Sequence, residues 1–127
     1  MKNNKINNEI KLIRKEWKNI IFNSIFAIFT LIFPIIFKKN ILLTTLILLL
    51  VSIIGLVKWK SKITLSVFIF GAFFGAIVEM ISINYNVWSY SYTNFINIPL
   101  WLFVVWGNAS AFIYETANEF KKLGVKK

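Results

Sequence analysis

No cysteine, histidine or aspartate occurs anywhere in the chain, and its only acids are five glutamates. Without cysteine there is no disulfide, no thiol chemistry and no cysteine metal site, and the redox compartment is left open. Without histidine or aspartate there is no Ser-His-Asp triad, no His-ligated zinc or haem and no pair of catalytic aspartates. No cofactor is implied. Arginine appears once, at Arg14, and proline twice, at Pro34 and Pro99.

What fills the space is apolar. Hydrophobic residues make up 57% of the 127 residues and charged residues 16%, against ~25% charged in an average soluble domain. Mean hydropathy is +0.67. The apolar residues come in blocks, not at the spacing of soluble amphipathic helices. This predicts an all-α membrane protein with no separate soluble domain.

Four spans can be drawn, at about 20–37, 41–57, 63–83 and 98–118, each near the ~20 residues that cross a ~30 Å hydrocarbon core. Pro34 is expected to kink or end the first helix, and Pro99 to sit in the first turn of the fourth. The second span reads as lipid-facing, with Thr44, Thr45 and Ser52 bonding back to its own carbonyls. The short connections at Lys38–Asn40 and Lys58–Lys62 predict antiparallel hairpins between spans one and two and between two and three. Only the aromatic loop 84–97 is long, and it carries no charge.

A net charge of +10 raises nucleic acid as a partner. The lysines, however, stand in short groups at the ends of apolar blocks, which argues against it. With the N-terminus inside, the inner segments hold Lys2, Lys5, Lys11, Arg14, Lys15 and Lys18, then Lys58, Lys60 and Lys62, then Lys121, Lys122, Lys126 and Lys127. The outer side holds Lys38 and Lys39 alone, so the balance is thirteen to two. The positive-inside rule then gives a four-helix transmembrane bundle in the cytoplasmic membrane, N-in and C-in, touching anionic headgroups on the cytoplasmic side. Residues 1–19 are basic, with Ile6, Ile10, Ile13 and Trp17 at helical spacing, and predict an amphipathic helix on the inner leaflet. The basic region is too long, and no Ala-x-Ala site follows, for a cleaved signal peptide. Residues 119–127 form a basic cytoplasmic tail.

The third span carries Glu79, an ionisable residue in an apolar helix and therefore costly unless it has a partner or a polar cavity. Gly71, Gly75 and Glu79 share one face at four-residue spacing, beside Ala72 and Ala76, so another helix can approach closely. In the fourth span Trp101, Asn108 and Glu115 recur every seven residues, and Gly107, Ala109, Ser110 and Ala111 keep its middle slim. Close approach of the two helices predicts that Asn108 and Ser110 reach Glu79. Trp88, Tyr90 and Tyr92 alternate with small polar residues and, in an extended segment, would point one way. With Trp101 and Trp106 they form a candidate aromatic lid over Glu79, beyond what a headgroup belt requires.

Glu79, then Trp88 and Tyr90, then Ile98, Pro99 and Trp101, then Trp106 and Gly107 make a pattern. It resembles small prokaryotic integral membrane proteins that carry Glu, Trp-x-Tyr, Ile-Pro-x-Trp and Trp-Gly in that order. More remotely it is similar to the carotenoid-biosynthesis membrane family, which includes hydratases. The resemblance covers residues 71–107. The chain is shorter than those hydratases, and its loop lacks their Gly- and Pro-rich character. Small multidrug-resistance exporters have a similar number of spans but keep their glutamate in the first, where this chain has no acid.

Three functions fit the residues. One is a binding site for a lipid or isoprenoid between spans three and four and the loop. In its enzymatic form Glu79 is the general acid/base, Tyr90 or Tyr92 orients the ligand and Trp88 and Trp101 stack on it. The second is a non-catalytic assembly subunit, a homo-oligomer or part of a larger complex, using Gly71 and Gly75 as its interface. The third is a proton-coupled transporter with Glu79 as carrier.

Overall fold

In the computed structural model, which describes residues 1–125, the chain forms four helices: α1 (Lys2–Ile36), α2 (Ile41–Trp59), α3 (Lys62–Asn84) and α4 (Trp101–Lys122). Lys126 and Lys127, the end of the basic tail, lie outside the described residues. No strand occurs among the described residues beyond one isolated bridge, Phe95 with Ile98.

Local sequence sets the helix ends. Asn40 caps α2, its side chain accepting from the Leu43 N–H at 3.1 Å, and Ser61 caps α3 in the same way through the Thr64 N–H. Side-chain oxygens at these positions satisfy amide donors that the helix itself leaves open. Lys60, in the left-handed region at φ 50°, stops α2 and turns the chain within two residues. Pro34 lies in the last turn of α1, which stops two residues later. Pro99 stands outside α4, before its N-cap Leu100, where its carbonyl accepts from the Leu102 N–H.

Helices α1, α2 and α3 are long and apolar enough to cross a membrane, and α4 is not among them. The fourth apolar block therefore differs in kind from the other three. It is the helix that packs most extensively on the other three, while α2 and α3, joined by a tight turn, barely meet. The expected hairpin packing of spans two and three gives way to both helices packing on α4. The second span is not simply lipid-facing either. Thr44, Thr45, Leu48, Ser52 and Gly55 form a buried face, and the three hydroxyls also bond back along their own helix.

Residues 2–19 do not form a separate surface helix. They continue without a break into α1, whose 35 residues span about 52 Å at ~1.5 Å per residue. Glu16, Asn19 and Asn23 turn toward α4, while Ile6, Ile10, Ile13 and Trp17 are exposed.

Polar pairs set the register of α1 against α4. Lys122 approaches Glu16, Asn19 donates to Glu119, Asn23 donates to Thr116, and Asn108 donates to Thr30. Rising numbers on one helix meet falling numbers on the other, so the two run antiparallel and the end of α4 lies beside Glu16 of α1. Asn108, fully buried, is the central tie. Its Nδ2 donates to Thr30 Oγ1 at 3.1 Å, and its Oδ1 accepts from Ser52 Oγ at 2.6 Å. One amide therefore joins α1, α2 and α4.

Replacing Asn108 by Ala leaves the Thr30 and Ser52 hydroxyls their own-helix carbonyl partners, Phe26 and Leu48. The loss is then that of the interhelical bonds, about 1–2 kcal/mol. Denaturant titration in detergent micelles should show this as a lower unfolding midpoint. An unchanged midpoint would mean that the amide does not tie the helices.

Candidate functional site

The site is built where α3 and α4 approach most closely. A Cβ added at Gly71 would collide with Ser110, and one at Gly75 with the Trp106 indole. The glycines thus admit Trp106 flat against α3, one turn from Glu79. Gly107 faces the other way along α3, where an added Cβ would come within 2.7 Å of the Phe68 ring.

Glu79 is 7% exposed. Its Oε1 accepts from Trp106 Nε1 at 3.2 Å and its Oε2 from Trp88 Nε1 at 2.6 Å. Indole nitrogens only donate, so each carboxyl oxygen meets a matched group. The Tyr90 hydroxyl also faces Glu79. Burial first, then the negative charge and hydrogen bond of Glu79, push the Tyr90 phenol up to about 12. Tyr90 in turn meets Trp101 edge to face, with ring centroids 6.0 Å apart.

The loop is a folded wall, not an extended strip. Ile98 and Pro99 are buried, and Ile98 clusters with Ala76 and Leu102. Asn97 donates to the Met80 carbonyl at 3.1 Å, and Asn94 accepts from the Leu100 N–H at 2.8 Å. These contacts aim Trp88 and Tyr90 at the carboxyl, while Tyr92 points elsewhere.

Beside this cluster a cleft of about 270 Å³ opens between the end of α1 and the loop. Its lining includes Pro34, Lys38, Tyr90, Tyr92 and Trp101, with Ser89 and Ser91 on either side of Tyr90. Trp101 Nε1 is buried without a partner. Glu79 does not line the cleft; Tyr90 borders both.

The sequence-derived residues therefore separate into three groups. Glu79, Trp88, Tyr90 and Trp106 come together, and Trp101 and Tyr92 join them at the cleft. Asn108 and Ser110 do not reach Glu79: Asn108 faces Thr30 and Ser52, and Ser110 Oγ donates to the Trp106 carbonyl. Asn108 finds its partners on α1 and α2, and Ser110 finds its own on α4. Glu115 accepts from Thr64 Oγ1 near the opposite end. Lys38 was not singled out from the sequence as a site residue. Its signal was available, as one of two cations at an otherwise uncharged end. No family model, curated protein or solved structure matches the chain.

Folding favours the protonated Tyr90, so the stability it contributes is complete below its ordinary value of 10.0 and lost as pH rises through about 12. Ultraviolet titration of the folded protein should show a phenol ionising near 12 that is missing in Tyr90→Phe. In Glu79→Gln that step should move down, because the charge is gone and a weaker amide oxygen replaces the carboxylate, while burial remains. A step unmoved by Glu79→Gln would separate the two residues.

Proposed function

We propose that the chain is a multi-pass protein of the cytoplasmic membrane, a four-helix transmembrane bundle with both termini inside. Its outer end binds a lipid or isoprenoid-type amphiphile with an anionic head. The lysine asymmetry supports the orientation. The three helices long and apolar enough to cross support the membrane setting.

The cleft between α1 and the aromatic loop carries the functional reading. One ammonium, Lys38, and the hydroxyls of Ser89, Ser91 and Tyr92 stand beside a wall of Pro34, Ile35 and Trp101. An ammonium suits a phosphate or carboxylate head, and the unpartnered Trp101 N–H offers a further donor. At about 270 Å³ the cleft lies just under the ~300–1,000 Å³ of pockets that enclose a drug-sized ligand. It suits a head group and the first carbons of a tail, with the rest of the tail in lipid. Glu79 acts here as a positioning residue, anchoring the loop through Trp88 and facing Tyr90, which stands in the cleft wall.

Catalysis is a second reading, favoured by the place of Tyr90 between the carboxyl and the cleft. Glu79 is then the acid/base and the Tyr90 hydroxyl the link by which a proton reaches a double bond. Loss of turnover in both Glu79→Gln and Tyr90→Phe, with ligand binding kept, separates it from simple binding.

Native mass spectrometry of gently solubilised protein should find one amphiphile enriched over the bulk membrane lipids. Lys38→Gln should cut its occupancy about tenfold, the scale of a charge-assisted hydrogen bond, without lowering the unfolding midpoint. Bound lipid that simply mirrors the bulk composition would end this reading.

A further inference from the structure

At the far end of α4 from the aromatic loop lies a second polar cavity, of about 180 Å³, between α1, α2 and α4. Its floor is acidic. Glu119, 4% exposed, lines it. Glu119 Oε1 accepts from Asn19 Nδ2 at 3.3 Å and lies 3.5 Å from Lys122 Nζ. Its Oε2 is buried with no partner. Glu16 is equally hidden, its Oε2 also without a hydrogen bond and 4.0 Å from the same Lys122 Nζ. One half-exposed ammonium therefore stands against two buried carboxylates. A buried carboxylate oxygen without a donor is costly. Of the two acids Glu119 lines the cavity, and its Oε2 is the acceptor left without a donor there.

The rim has the opposite sign. Lys15, Lys58 and Lys122 line the cavity and are exposed. Lys58 is held over the Phe22 ring, 5.0 Å from its centroid, which keeps its ammonium at the opening. A simple cation would have to pass three lysines, and a simple anion would meet Glu115 and Glu119 inside. A zwitterion meets neither penalty.

We propose that this cavity binds a group carrying a primary ammonium close to a phosphate, the ammonium on Glu119 Oε2 and the phosphate among the rim lysines. Ethanolamine phosphate is the smallest such group, either as a phospholipid head or free in solution. The membrane orientation proposed above bears only on which source supplies it. The site is remote from the cleft at Lys38, so a Lys38→Gln chain that has lost its cleft ligand keeps this selectivity.

The test is native mass spectrometry of the full chain in detergent with short-chain phosphatidylethanolamine, phosphatidylcholine or phosphatidylglycerol. The ethanolamine lipid should be retained about tenfold over the other two, since choline cannot donate to Glu119 and glycerol has no charge to offer. Glu119→Gln should remove that preference. Lys58→Gln, an exposed change that leaves folding intact, should weaken ethanolamine and glycerol lipids alike by several-fold. Displacement by soluble phosphoethanolamine at matched concentration assigns the free compound, and resistance to it assigns the lipid; either supports the shared chemistry. Equal retention of all three lipids means a cavity filled by water alone and overturns the proposal, as does a preference that survives Glu119→Gln.

Discussion

A polar group within an apolar helix has no water to fall back on, and the arrangement of this protein follows from where such groups find partners. The fully buried Asn108 holds Thr30 of α1 and Ser52 of α2 at once. That tie makes α4 central, although it is not among the three helices long and apolar enough to cross a membrane. Its polar face meets Glu16, Asn19, Asn23 and Thr30 on α1, Ser52 on α2 and Thr64 on α3. Leucine, isoleucine and phenylalanine crowd the exposed surface instead. This is the reverse of a soluble core, and it suits a surrounding medium as apolar as the side chains themselves.

The two ends of α4 meet acids in different ways. At the loop end Glu79 is matched on both oxygens by indoles that only donate, and a phenol faces it. The wall so built is rigid, and the neighbouring cleft draws its shape from it. At the other end Glu119 has one amide donor, Asn19, and shares one lysine with Glu16, so each acid keeps an oxygen without a hydrogen bond. The difference lies in the donors within reach: two indoles serve one carboxyl at the loop end, while one amide and one ammonium serve two carboxyls here.

Much of the local structure was legible. Block hydropathy located α2, α3, α4 and the end of α1 to within a few residues, because uninterrupted apolar runs leave little choice. The start of α1, in the basic segment, lies eighteen residues before the first apolar block. The small face at Gly71, Ala72, Gly75 and Ala76 could be read because only residues without bulk let two helices meet so closely. Glu79 stood out by its charge. Less legible was α1, where Ile6, Ile10, Ile13 and Trp17 looked like the working face. The buried face was the polar one, Glu16, Asn19, Asn23 and Thr30, which repeats at helical spacing and could have been found had polar periodicity been weighed as heavily as apolar.

By itself the sequence determined four apolar helical blocks, a charge-free aromatic connection and a lone acid on a glycine face. These depend on composition and on neighbours within a turn or two. Tertiary structure alone decided that Glu79 takes Trp88 and Trp106 and not Asn108 or Ser110, that α2 turns hydroxyls inward, and that Glu16 and Glu119 share one lysine. Periodicity places a residue on a face of its helix. Which helix covers that face depends on how all four pack, and a polar side chain bonds to whatever donor that packing brings within about 3 Å.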